Sequence, residues 1–164
     1  MPKRRTVIVG GLTLAVTGCV SNIGTYSGPE VTRVVIQKGA RRMFLLNGQA
    51  VLQAYNIDLG FEPRGDKQVE GDGKTPEGTY FIDRKNPESA FYLSLGISYP
   101  NEQDVAQAKA LGEEPGGDIF IHGASGTLGQ RGTDWTYGCI AVSNREIEDV
   151  YAMVNEGTQV DLHP

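Results

Sequence analysis

The chain has 164 residues, a formal net charge of −5, 22 glycines, 8 prolines and only 2 cysteines. That length allows one domain with a core of its own. The acidic balance argues against nucleic acid or an anionic lipid surface as a partner, and the glycine and proline content points to many turns and a β-rich fold.

The first segment reads as targeting. Lys3, Arg4 and Arg5 are basic, and Thr6 to Val16 is an apolar run too short to span a bilayer as a helix. Arg4-Arg5 is also a weak twin-arginine export signal. Val16-Thr17-Gly18-Cys19 has the small residues before a cysteine that mark a lipobox. Residues 1–18 are therefore expected to be a lipoprotein signal peptide, with Cys19 the lipidated N-terminus. Residues 19–30 form a Ser/Gly-rich tether, and 31–164 one catalytic domain. Removal of 18 residues leaves 146, and the loss of three positive charges takes the mature chain to −8. Acyl chains on Cys19 would hold the protein on a membrane. Val20 is not the acidic inner-membrane retention signal of enteric lipoproteins, so a periplasm-facing position in the envelope, on the outer membrane, is expected.

Val31–Gln37 and Arg41–Leu46 have strand composition, and the Lys38-Gly39-Ala40 break between them predicts a hairpin. Val51–Leu59 predicts a third strand, with Val51, Gln53, Tyr55, Ile57 and Leu59 on one face. Gly60–Gly78, rich in charge and glycine, reads as a solvated loop or the wall of a cleft. Its Gly71-Asp72-Gly73-Lys74-Thr75 lacks both the upstream glycine and the strand of a phosphate loop. Its carboxylates do not fall at calcium-ligand spacing. Thr79–Asp83 and Phe91–Tyr99 are strands, and Glu102–Leu111 is a helix stopped at Gly112.

Asp118–Ile121 is a short buried strand, followed by a glycine-rich loop over Ser125–Trp135. Ser143 and Glu146 make a capping box for a helix whose Ile147, Val150, Tyr151 and Val154 form one apolar stripe. That helix is expected to run to Gly157, before a last strand over Thr158–Leu162. The architecture is thus mainly β with two short helices.

The chemistry centres on Cys139, which follows Gly138 and lies seventeen positions after His122. With Cys19 consumed by lipid, an exported chain would keep one free thiol, a liability in oxidising surroundings unless its reactivity is used. Only one further histidine exists, His163, so a zinc site lacks ligands. No metal or other cofactor is expected. His122 ends an apolar strand that can aim it at the thiol, and pairing with an imidazole pulls a thiol pKa well below neutrality. The amides of Gly138 and Cys139 are candidates to meet a developing oxyanion. The plain alternative is a buried structural cysteine beside an unrelated histidine. Trp135 and Tyr137 flank the site, either as core packing or as walls for an extended peptide.

The segments Ile119-Phe120-Ile121-His122-Gly123 and Gly138-Cys139-Ile140 come in this order. The capped helix and Gly157-Thr158-Gln159-Val160 follow, and Gly73-Lys74-Thr75-Pro76-Glu77-Gly78-Thr79-Tyr80 lies upstream. Together they resemble the L,D-transpeptidase (YkuD-type) catalytic domain, in a compact envelope form. The likeness runs from about Val31 to Leu162. It implies a β-sandwich-like fold acting on peptidoglycan stem peptides, with the bond after the L-centre of a meso-diaminopimelate as the target. The acyl group then passes to another stem, to a wall-attached lipoprotein or to water.

By the same likeness Cys139 is the nucleophile, His122 the base, and Gly123 the residue whose carbonyl orients the imidazole. Thr136 and Tyr137 stand where many members have a serine-histidine pair, and Ala141 where many have an arginine. His122 then acts alone, Tyr137 is a candidate hydrogen-bond donor, and a cationic contact to substrate falls to Arg131 or Arg145. Two rivals to the transferase are a hydrolase of the same bonds and a wall-binding module without catalysis. An NlpC/P60-type peptidase has its cysteine before its histidine, the reverse of the order here.

Overall fold

The computed structural model describes residues 23–124 and 133–164. Residues 1–22, among them the expected leader and Cys19, and Arg131 lie outside the described residues. The elements in chain order are β1 (Arg33–Gln37), β2 (Arg42–Asn47), β3 (Ala50–Asn56), β4 (Gly78–Ser89), β5 (Tyr92–Ile97), α1 (Glu102–Leu111), β6 (Phe120–His122), β7 (Ile140–Ala141), α2 (Asn144–Met153) and β8 (Gln159–His163). Strands neighbour one another in the order β3-β2-β1-β8-β4-β5-β6-β7. The fold is mainly β with two helices.

β4 joins two sheets. Its first residues pair antiparallel with β8, Tyr80 opposite Val160, and from Ile82 onward it pairs with β5, Ile82 opposite Ile97. The outer edges of the two sheets are tied as well. The chain leaving β3 bridges from Asp58 to Ala141 and from Gly60 to Thr136. These bridges occupy backbone groups that a free edge would leave open. Between the sheets lies one apolar cluster. It includes Val34 and Ile36 of β1, Leu93, Leu95 and Ile97 of β5, and Ile121 of β6.

α2 closes this core with the expected stripe, Ile147, Val150, Tyr151 and Val154 all being buried. Its cap is reciprocal: Ser143 Oγ accepts from the Glu146 amide at 3.3 Å, and Glu146 Oε2 accepts from the Ser143 amide at 2.9 Å. The helix stops at Met153, short of Gly157. That glycine instead holds a φ of +86° in the turn to β8, and its amide donates to Ile82 O at 2.8 Å.

Three expectations are corrected. β4 runs on through Pro87 to Ser89 although its second half is polar, because one of its faces is exposed. Val51 is 58% exposed rather than aligned with Tyr55 and Ile57. A register shift where β2 meets β3, between Leu45 and Leu46, reverses the inward face. The 60–78 segment is internally bonded rather than merely solvated. The buried Lys38 ammonium donates to Gly65 O at 2.6 Å, Thr75 O at 2.7 Å and Glu77 Oε1 at 2.8 Å. Asp72 accepts from the amides of Gln68 and Lys74 and pairs with the buried Lys67 at 3.0 Å.

Candidate active site

Strand register brings together residues that are far apart in the chain. Ser94 of β5 lies opposite His122 and Gly96 opposite Phe120. On the other side, β7 runs parallel to β6 with Ile140 beside Ile121 and Ala141 beside His122. One step back along that pair, Cys139 comes beside Phe120. Successive side chains alternate across a sheet, so Ser94, Phe120, His122 and Cys139 share a face. All four line a cavity of about 410 Å³, completed by Asn86, Ser89, Ala90, Phe91 and Asp118.

His122 is only 2% exposed. Phe91 lies against its ring, with centroids 4.5 Å apart, and Trp135 meets it edge-on at 5.7 Å. Nδ1 sits 2.6 Å from Gly123 O. A carbonyl only accepts, so Nδ1 carries the proton and Nε2 keeps the basic lone pair. Burial holds the imidazole pKa below its ordinary value, opposed by the Gly123 carbonyl, which favours the cation.

Cys139 is a free, half-buried thiol, and its Sγ–H donates to Asp118 O at 3.4 Å. Burial pushes its pKa up. The Phe120 amide, bonded to the sulfur, pulls it down; Asp118 raises it and Lys67 lowers it. Burial thus acts against the charged form of both side chains that share this cavity wall. The pairing expected from the sequence would pull the thiol pKa down; burial pulls it the other way.

Two glycines allow this packing. A Cβ on Gly123 would fall 2.6 Å from Asn144 Oδ1 and 3.0 Å from both Ile147 Cγ2 and Phe91 O. Gly138 has a φ of +121°, and a Cβ there would meet Lys74 O at 2.6 Å. The Gly138 amide donates to Thr136 Oγ1 at 3.1 Å, and that hydroxyl donates to Cys139 O at 2.8 Å. An oxyanion role for the Gly138 amide therefore requires exchange of this bond.

Trp135 reaches the site through His122 and Phe91. Tyr137 does not line the cavity; it is 80% exposed and packs edge-on against Phe61 at 5.4 Å. Arg145 lines a separate groove with Tyr26, Gln53 and Glu148. Sequence reading missed Phe91, Asp118 and Asn144. It also missed Asp134, which receives Arg41 Nη2 at 2.7 Å and the Leu59 amide at 3.0 Å and so fixes the segment leading to Cys139. A larger cavity of about 850 Å³, lined by Lys38, Arg41, Arg64, Asp58, Glu77 and Asp134 among others, holds neither the thiol nor the imidazole.

Fold and site together describe a β-rich domain with a thiol and an imidazole on one cleft wall. The chain matches the family model of the L,D-transpeptidase catalytic domain, YkuD, over residues 31–162, and it belongs to that family. It is 30% identical over 123 residues to YafK of Escherichia coli K12, a candidate L,D-transpeptidase by its name, covering 70% of this chain and 44% of that one. Among solved structures it is similar to the helical cell shape determining protein Pgp2 of Campylobacter jejuni. There the TM-score is 0.65 and the identity 28%, over 89% of this chain and 52% of that one. L,D-transpeptidase 1 of Mycobacterium tuberculosis shares the fold, with a TM-score of 0.53 and 12% identity over 82% of this chain and 62% of that one. The chain spans about half the length of YafK and Pgp2.

Proposed function

We propose that this protein is a peptidoglycan L,D-transpeptidase that works through a thioester on Cys139. The observation carrying this reading is the shared cavity wall of Cys139 and His122, with the imidazole Nδ1–H held by the Gly123 carbonyl. As the sulfur attacks an amide carbonyl of a stem peptide, Nε2 of His122 takes the thiol proton. The imidazolium formed is stabilised by its Nδ1–H bond and then protonates the departing amine. An acceptor amine, deprotonated by Nε2, attacks the thioester and restores the thiol.

The lowered imidazole pKa suits a general base, since such a ring is free to accept a proton at neutral pH. Phe91 and Trp135 wall the imidazole and limit water around the thioester. The mature domain sits at the envelope through acylation of Cys19, on the strength of the Val16-Thr17-Gly18-Cys19 pattern.

A carbapenem acylates a cysteine nucleophile of this kind and locates it by mass spectrometry. One adduct on Cys139 is expected, absent in Cys139→Ala. His122→Ala should slow labelling by roughly 10²–10⁴. An adduct elsewhere, or a His122→Ala rate within threefold of wild type, would end the proposal.

A further inference from the structure

The peptide unit between Gly123 and Ala124 is held from both sides. Its carbonyl accepts from His122 Nδ1 at 2.6 Å, and its N–H donates to Asn144 Oδ1 at 2.7 Å. Both groups belong to one planar amide, so fixing the N–H fixes the direction of the carbonyl that the imidazole sees. Asn144 is the first residue of α2, behind the Ser143 cap. The helix itself is anchored by the buried Ile147 and Val150. The glycine at 123 makes this approach possible, because a Cβ there would strike the same Oδ1.

We infer that Asn144 is a positioning residue for His122. Through the Gly123–Ala124 peptide it sets the ring orientation and the tautomer that leaves the basic lone pair on Nε2. This rests on the reading of His122 as base given above. The hydrogen bonds run in one sense, from the imidazole N–H to the carbonyl and from the amide N–H to Oδ1. Each therefore polarises the amide so that the other strengthens. The carbonyl becomes a better acceptor just where positive charge develops on the ring. A side-chain carboxylate fills this place in a serine-protease triad; here a backbone amide lies between the imidazole and the side chain that orients it.

The test uses the full chain with Asn144→Ala and Asn144→Asp. Alanine removes the acceptor at a position where helix propensity favours it and leaves the Ser143 cap intact. Aspartate keeps an oxygen in the same place. Two readouts are taken: the ¹⁵N shifts of the His122 ring, which report the tautomer, and the rate of carbapenem acylation. In wild type the ring should be the Nδ1–H form. Asn144→Ala should mix the tautomers and slow acylation about tenfold, the factor of one net hydrogen bond. Asn144→Asp should restore the single tautomer and most of the rate.

Unchanged ring shifts in Asn144→Ala would overturn the inference, as would an aspartate variant no better than alanine in both readouts. Should the alanine variant not fold, Asn144→Ser, too short to reach the Ala124 amide, takes its place under the same criteria. If wild type gains no adduct at Cys139, the proposed function fails, while the ring shifts still decide the role of Asn144.

Discussion

Gly138→Ala is the sharpest test of how the cysteine segment is held. Two costs add at this position. The backbone φ of +121° is one that side chains rarely adopt, worth about 1–3 kcal/mol. The new Cβ would also stand 2.6 Å from Lys74 O and 3.1 Å from Ile119 Cδ1. The first partner is backbone, in a segment braced by the Asp72 carboxylate, to which the Lys74 amide donates at 3.0 Å. It cannot give way as a flexible side chain would, and overpacking of this kind costs about 1–3 kcal/mol more.

The sum, about 2–6 kcal/mol, is a large part of the ~5–15 kcal/mol that stabilises a domain. Gly157→Ala is the control, since its φ is +86° with open space around the new Cβ. There only the left-handed backbone cost of about 1–2 kcal/mol remains. Urea unfolding of both variants separates the clash from the backbone strain. Carbapenem acylation then tells whether the 74–75 backbone yielded or Cys139 moved. Equal destabilisation of the two variants, with full acylation in Gly138→Ala, would refute the account of the Lys74–Gly138 contact.

The buried imidazole also predicts a pH dependence. The folded pKa of His122 is lowered by burial, so below about 6.5 the unfolded chain takes a proton that the folded site resists. Stability should therefore fall as pH drops from 6.5 toward the folded value. Melting temperatures of wild type and His122→Asn at pH 7.5 and 5.5 check this, and equal losses in both would contradict it. Asp72, Asp134 and Asp161, all with lowered pKa values, lose their contribution only below about 4. Asp66, raised by burial, works in the opposite sense and is common to both proteins. Lys38→Met should cost about 3–5 kcal/mol, because it leaves Gly65 O, Thr75 O and Glu77 without their shared donor. A loss below 1 kcal/mol in urea unfolding would show that the 60–78 segment does not depend on this lysine.

What the sequence made legible was local or periodic. The Lys38–Ala40 turn, the strand within Phe91–Tyr99, the Glu102–Leu111 helix with its stop at Gly112 and the Ser143–Glu146 box each depend on residues a few positions apart. What it hid depends on contacts between distant segments. The Arg41–Asp134 pair joins positions 93 apart, and two charged residues in a sequence carry no sign of which partner they choose. The two-residue β7 exists only because β6 and the Asp58 strand extension flank it. The polar half of β4 has no buried alternation to betray it. At the site, the glycines and the histidine strand marked the segments that meet around the cavity. The packing of Trp135 on His122 and the exposure of Tyr137 came from tertiary geometry that neighbouring positions do not share.

The direction of the thiol pKa bears on why an unpaired cysteine persists in such a domain. Thiols are oxidised as thiolates, so a site that kept Cys139 ionised at rest would be vulnerable wherever no reductant repairs it. Here burial raises the thiol pKa and lowers that of the imidazole, so folding acts against both charged forms. At pH 7, hydrogen peroxide should oxidise Cys139 no faster than free cysteine, while under the proposed function a carbapenem should acylate it far faster than it acylates free cysteine. Peroxide oxidation well above that of free cysteine would mean that the resting sulfur is ionised, and the account of a thiol pKa raised by burial would fall with it.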